Sequence, residues 1–404
     1  MSRKHTVYCL ASYFKGNDFL RECKDLGHRV FLVTREKMHS ADWAWDSLDG
    51  VVYVPDEASI EDYVRAVTES ARMSKPTRVV ALEEGDVITA GRIREYLFIP
   101  GMFSSRARLF RDKLAMRVTG ELNGIRQARF VHTVNYQEVG EFMERVPAPW
   151  VLKPRADASA IGIKKFSETE PVWREIDRLN ANDESRERSD SYLLEEFIAG
   201  DVYHVDSLVS NGKIAVTCAN RYGRAPLEIA VGGGVSNSFT IDYDSAERKK
   251  LLKANRSVIK SFGLMNGATH AEFIKSAADG EFHFLEIGKR VGGAYTAEAF
   301  EAASGLNIWR EWARIETATE GEPYVPELVR KEFGGIVVSL ARQQWPDTSE
   351  YADPEVFCRP RREYHVGLVL RSPDQQRLRT LLDDYTRRFA VDFMSFAPQP
   401  ERPD

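Results

Sequence analysis

Through the first hundred residues, short apolar runs rich in β-formers alternate with segments of helical period, and no other feature limits the fold as much. Residues 6–11 form the first run. Phe19, Leu20, Cys23 and Leu26 then recur at helical spacing, with Gly27 placed as a stop. Residues 29–34 and 51–54 read as strands, Ile60, Tyr63, Val64 and Val67 mark an amphipathic helix, and residues 78–82 are one more strand. This alternation predicts an open, largely parallel sheet, with any ligand beyond the strand C-terminal ends. The first turn, Ser12-Tyr13-Phe14-Lys15-Gly16, lacks GxGxxG spacing, so a Rossmann-like unit without the NAD fingerprint is expected.

Pro100-Gly101 punctuates the end of that region, after which Ser104 or Ser105 is placed to cap a helix carrying Leu109, Lys113 and Met116. From Trp150 the pattern changes to strands and hairpins. Residues 180–190 (NANDESRERSD) interrupt it as a solvated loop. A helix-rich stretch runs from Ala297 to about Thr319, the last 80 or so residues read as a small α+β appendage, and the Pro-rich tail 398–404 is expected to fray. At 404 residues the chain has room for two to three domains.

Composition excludes several classes. No run approaches the roughly 18 apolar residues of a membrane helix, and the N-terminus does not read as a signal peptide. A formal net charge of −5 supplies no basic field for nucleic acid. Cys9, Cys23, Cys218 and Cys358 are scattered without a CxxC pair, which suits neither a zinc site nor a disulfide framework. Reduced thiols in a cytoplasmic protein are expected.

Four segments carry the chemistry. In Arg111-Asp112-Lys113 and Trp150-Val151-Leu152-Lys153-Pro154-Arg155, two lysines can serve as point charges for phosphates. The small-residue turn 156–162, with Ser159, Ala160 and Gly162, can bring backbone N–H groups close to an anion. The third segment, Glu195-Glu196-Phe197-Ile198 before Gly200, could leave an extended stretch whose backbone reads a base edge. The fourth holds Glu272 and Glu286 with the turn residues Ala277-Ala278-Asp279-Gly280 between them. A hairpin there sets the two carboxylates side by side, an arrangement that repels unless a cation such as Mg²⁺ lies between them. Arg290, four residues past Glu286, adds a fork for phosphate or carboxylate, and Gly292-Gly293 leave main-chain donors accessible.

In this order the segments resemble the ATP-grasp superfamily over nearly the whole chain, and within it the carboxylate–amine ligases such as L-amino acid ligases and carnosine synthase. The resemblance implies α/β and α+β architecture: a Rossmann-like part (1–101), an ATP-grasp part (102–320, with a lid at about 117–194 and a metal-binding part at about 195–320) and a C-terminal α+β part (321–404). It implies that Lys113 and Lys153 hold the α- and β-phosphates of ATP while the 156–162 loop closes over the γ-phosphate. Glu195, with the backbone of Glu196 and Ile198, would bind adenine, and Asp201 would stand in for a ribose-binding Glu. Glu272 and Glu286 would ligate Mg²⁺ or Mn²⁺, and Arg290, with Lys153 and Gly293, would serve catalysis. Small carboxylate and amine substrates, taken as amino acids, are the implied partners, with a homodimer as the family's assembly.

This sequence departs from the family pattern in two places. Gly288 stands where many relatives carry a metal-binding Asn, and alanines replace some glycines of the phosphate loop. Alternatives are a carboxylase-type enzyme activating bicarbonate and a non-catalytic ATP-binding regulator. His270, His204, Asp206 and the Gly232-Gly233-Gly234 stretch with Arg221 and Arg224 are further candidates near substrate. Trp43 and Trp45 read as packing or an interface, and Arg359, Arg361 and Arg362 as a solvated edge.

Overall fold

The alternation of residues 6–82 builds the expected parallel sheet. The computed structural model describes residues 4–156, 161–181, 189–319 and 321–396. Strands β1 (Thr6–Leu10), β2 (Arg29–Arg35), β3 (Gly50–Val54) and β4 (Arg78–Ala81) lie parallel in the order β3-β2-β1-β4. Central β1 is apolar on both faces: Val7 and Cys9 pack into one core, Tyr8 and Leu10 into another. A parallel sheet covered on both sides requires this. Its helices are α1 (Asn17–Asp25), α2 (Ile60–Ala71) and α3 (Val87–Leu97). Gly27 ends α1 with a φ of 80°, a left-handed value that glycine adopts without a Cβ clash.

The predicted helix through Leu109 and Met116 is broken in two. One turn, α4 (Ser104–Ala107), is followed by a fresh start at α5 (Lys113–Leu122). Asp112 causes the restart, because its carboxylate accepts from the N–H groups of Leu114 (3.0 Å) and Ala115 (3.4 Å). The Ser104 hydroxyl is taken instead by Glu95, at 2.8 Å. Lys113 thereby occupies the first turn of α5.

A small antiparallel sheet follows, in the order β5-β8-β6-β7: β5 (Phe130–His132), β6 (Trp150–Pro154), β7 (Lys164–Phe166) and β8 (Tyr192–Glu196). Helices α6 (Tyr136–Arg145) and α7 (Thr169–Ala181) back it, sharing a core of Val139, Phe142, Leu152, Ile176 and Leu194. The predicted strand–turn–strand is present as β6 and β7, with Trp150 opposite Phe166. Of the sequence-derived candidates, Ser159 and Ala160 lie outside the described residues, as does most of the polar 180–190 stretch.

The remaining chain is organised by one antiparallel sheet of eight strands: β9 (Gly200–Ser210), β10 (Lys213–Tyr222), β11 (Ser236–Thr240), β12 (Gly267–Ser276), β13 (Phe282–Gly288), β14 (Phe333–Leu340), β15 (Val356–Cys358) and β16 (His365–Ser372). Their order is β13-β12-β9-β10-β11-β14-β16-β15. Strand alternation sorts the faces. Tyr203, Val205, Val209, Ala271 and Phe273 pack on α9 (Ala246–Phe262), so His204, Asp206, His270 and Glu272 emerge on the other face. Short α8 (Pro226–Gly232) bridges β10 and β11, and α12 (Gln375–Asp392) covers β14 and β16. On the face opposite α9, α10 (Thr296–Ser304) and α11 (Ile308–Thr317) join the N-terminal unit. There Phe19 of α1 meets Trp312 edge-on, with ring centroids 5.3 Å apart.

The last 80 residues, expected as a small appendage, extend this sheet: Ser238 of β11 pairs with Ile336 of β14. Hydrogen-bonding a further strand onto β11 covers an edge that would otherwise be open. The division into 1–101, 102–320 and 321–404 is retained as a proposal. All four cysteines are free thiols, and no helix among the described residues is long and apolar enough to cross a membrane.

Gly200, the first residue of β9, has no room for a side chain: a Cβ would lie 2.0 Å from the Lys275 carbonyl oxygen. Gly200→Ala should therefore lower stability by roughly 1–3 kcal/mol, read as an earlier urea midpoint; an unchanged midpoint contradicts this packing.

Candidate active site

Pairing of β12 with β13 sets the centre of the site. Glu272 lies directly opposite Glu286, and His270 opposite Gly288. The predicted turn closes the hairpin, with the Gly280 N–H donating to the Ser276 carbonyl at 2.8 Å. Behind Glu272 runs a buried chain of polar groups. Its Oε1 accepts from the Tyr222 hydroxyl at 2.9 Å and lies 3.5 Å from His270 Nε2. Asp206, fully buried, holds His270 Nδ1 at 2.8 Å with one oxygen and His204 Nδ1 at 2.7 Å with the other. Burial opposes charge on His270, but the Asp206 carboxylate outweighs it and pushes the imidazole up to about 9. Burial likewise opposes charge on Asp206, and the two imidazoles hold its carboxyl well below the usual range.

Two lysines approach from the other side. Lys113 Nζ lies 3.1 Å from Glu286 Oε2. Lys153 Nζ lies 2.6 Å from Glu195 Oε2, and Arg117 Nε lies 2.7 Å from Glu195 Oε1. Glu195 is thus a buried counter-ion for two cations, with its carboxylate committed to them. Arg117 was not singled out in the sequence, although its place one helical turn after Lys113 was a readable signal. Burial lowers the Lys153 pKa to about 8; Glu195 opposes that shift, while Arg117 and Lys113 add to it.

The third group is Arg290, whose Nε donates to Glu84 Oε2 at 2.6 Å. Arg111 donates to the other Glu84 oxygen at 3.0 Å. Burial works against the Glu84 charge, yet Arg290 and Arg111 hold its carboxyl at about 2. Glu84 comes from the turn after β4 and carried no motif in the sequence. It also gives a physical reason for Gly288: a Cβ there would lie 3.1 Å from Glu84 Oε2 and 3.2 Å from Arg290 Cγ. A side chain such as Asn at this position would crowd the ion pair.

These groups face one cavity of about 690 Å³. Lys113, Lys153, Glu195, Glu196, Ile198, Glu272, Glu286, Arg290 and Gly293 all line it. Gly162 has a φ of 71°, and its neighbours Ile161 and Ile163 line the wall. Glu196 offers less than expected: Arg129 binds its carboxylate at 2.8 and 2.9 Å, and the Arg129 carbonyl accepts its N–H. Asp201 is not brought in, because its carboxylate pairs with Arg221 at 2.8 Å and its neighbours Gly200 and Val202 line the cavity instead. The Gly232-Gly233-Gly234 stretch closes α8, whose residues form part of the wall. Arg359 donates to the Thr348 and Tyr351 carbonyls, away from the cavity.

The donor set fits Mg²⁺ or Mn²⁺. Two carboxylates on adjacent strands face the cavity, one already drawn to a lysine, and both known donors to Glu272 fall on a single oxygen. Glu272 and Glu286 would hold the ion.

Comparison with known proteins bears on the fold and the domain. Residues 146–298 match the ATP-grasp domain model. The chain is 22% identical over 270 residues to an L-arginine-specific L-amino acid ligase of Bacillus subtilis, covering 66% of this chain and 64% of that one. It is 23% identical over 270 residues to an alanine–anticapsin ligase of Bacillus subtilis strain 168, covering 61% and 55%. It therefore spans less than two thirds of the length of these curated relatives. The crystal structure of an L-amino acid ligase from Bacillus licheniformis superposes with a TM-score of 0.76 at 15% identity, covering 98% of this chain and 99% of that one. Residues 146–298 thus match an ATP-grasp domain, and the chain shares the fold of the solved L-amino acid ligase.

The Lys153–Glu195 pair gives the expected contact of Lys153 with ATP phosphates a pH test. Lys153 is charged below about pH 8 and neutral above it, so affinity should fall as pH rises through that value. In Glu195→Gln the carboxylate that raises the Lys153 pKa is gone, and the fall should move to lower pH. Calorimetric titration of Mg²⁺-ATP across a pH series checks this; superimposable profiles contradict it.

Proposed function

We propose that this protein is an ATP-dependent carboxylate–amine ligase, forming an amide or peptide bond through an acyl phosphate and releasing ADP and phosphate. One observation carries the reading: two lysines, a facing pair of carboxylates and a buried arginine converge on a single cavity. Phosphoryl transfer asks for this combination, since its catalysis is mostly positioning and charge stabilisation.

In this reading Lys113 and Lys153 bind the ATP phosphates, and the Glu196 carbonyl and Ile198 N–H take the adenine edge. Glu195 keeps Lys153 and Arg117 in place, a departure from its expected contact with the base. A bound divalent ion on Glu272 and Glu286 would neutralise phosphate charge. A substrate carboxylate oxygen attacks the γ-phosphorus in line, and the bond to the bridging oxygen of ADP breaks. Arg290, oriented by Glu84, stabilises the charge spread over the transferring group. The amine then attacks the acyl carbon, loses its proton, and expels phosphate. The loop 156–162 would exclude water that would otherwise hydrolyse the acyl phosphate. The relatives' names point to amino acids as substrates.

The primary test is ADP and phosphate release from Mg²⁺-ATP over pooled carboxylates, with and without amines. Release that needs both classes is expected; AMP and pyrophosphate as products would overturn the mechanism. Glu286→Gln should lower turnover by roughly 100-fold or more with an unchanged melting temperature, and wild-type turnover would remove Glu286 from the metal site. Arg290→Ala should reduce kcat by about 10²–10³-fold with a much smaller change in KM for ATP. A change confined to KM would count against its assigned role.

A further inference from the structure

The cavity continues past the metal carboxylates, and its far end has a different chemistry. In the sheet order, β14 lies four strands beyond β12, or roughly 19 Å at about 4.8 Å per strand. The lysines and the Glu196–Ile198 segment belong to the lid and the β12 side. The far end is built by β11, β14 and α8: Leu227, Ile229 and Ala230 line it from α8, and Ile336 and Val338 from β14. Ile336 and Val338 are two apart and so share a face, while Val337 between them packs into the core under α12.

We propose that this end is a side-chain pocket for an uncharged, apolar amino-acid substrate whose polar head faces Arg290 and Glu272. The inference rests on the ligase reading and names the substrate class that this reading leaves open. Its support is the charge inventory. Arg290, Glu272 and His270 stand at the inner boundary, and each is already paired. Beyond them, among the described residues lining this end, Glu228 is the one charged side chain; it is largely exposed and faces Arg224 at 3.8 Å. A charged substrate side chain would enter without a buried partner, which is strongly unfavourable. An aliphatic chain would meet Leu227, Ile229, Ile336 and Val338, with the uncharged Ser236, Asn237 and Ser238 of β11 completing the lining, and each buried methylene is worth roughly tenfold or more in discrimination.

The test is calorimetric binding of L-leucine, L-alanine, L-arginine and L-glutamate to the protein with Mg²⁺ and a non-hydrolysable ATP analogue, followed by ADP-release kinetics. Leucine should bind at least tenfold more tightly than arginine or glutamate. Leu227→Asp, on the short α8 at the cavity wall, should weaken leucine at least tenfold and improve arginine, with little change in affinity for the ATP analogue. Ala230→Phe, which fills the pocket without adding charge, should weaken leucine more than alanine. Equal or tighter binding of arginine or glutamate, or no binding of leucine, overturns the pocket. Leucine binding that responds to both variants, with no ADP released for any amine, upholds the pocket and overturns the ligase reading.

Discussion

A buried carboxylate joins the parts of this molecule that are far apart in sequence. Glu84, from the turn after β4, pairs with Arg290 after β13 and with Arg111 before α5. An unpaired carboxylate or guanidinium at this depth would be strongly destabilising, so the three charges constrain one another's positions. The turn of the parallel sheet, the start of α5 and the end of the β12–β13 hairpin are thereby held together. Arg290 is left with its Nη1 on the neighbouring Val291 carbonyl at 3.1 Å, and its plane is fixed before any substrate arrives. That preorganisation is what electrostatic catalysis of phosphoryl transfer requires.

The same logic recurs at Glu195 and Asp206. Glu195 separates Lys153 from Arg117, and Asp206 separates His204 from His270. In each case a buried acid orients cationic or imidazole groups, of which Lys153, Arg117 and His270 face the cavity. The acids let one pocket hold several positive groups close together without mutual repulsion dispersing them.

Much of this was legible in the sequence, for reasons that differ by element. The parallel sheet was readable because each strand is a continuous apolar run. The Glu272–Glu286 pair was readable as a hairpin neighbourhood from the turn between two strands, but its register was not: a shift between Glu272 and Phe273 sets Glu272 opposite Glu286, where unbroken pairing from the turn would have given Leu285. Lys113, Lys153, Glu286 and Arg290 came from local motifs, and the structure gathers them around one cavity. What stayed hidden depends on contacts that no local pattern encodes. Glu84 meets Arg290 across 206 positions. The commitment of Glu195 to Lys153 and Arg117 shows only once β6, β8 and α5 are assembled. The break before α5 turned on a stronger cap at Asp112 than at Ser104, and the pairing of the last strands with β11 carried no local signal because β11 is only five residues long.

The central claim is that the carboxylate substrate accepts the γ-phosphoryl group before the amine attacks. Positional isotope analysis tests it most directly, using a carboxylate substrate labelled with ¹⁸O in both carboxyl oxygens. The account predicts one ¹⁸O in inorganic phosphate per turnover, because the attacking oxygen leaves with phosphorus when the amine displaces it. Inorganic phosphate free of ¹⁸O, or label recovered in AMP, would contradict it.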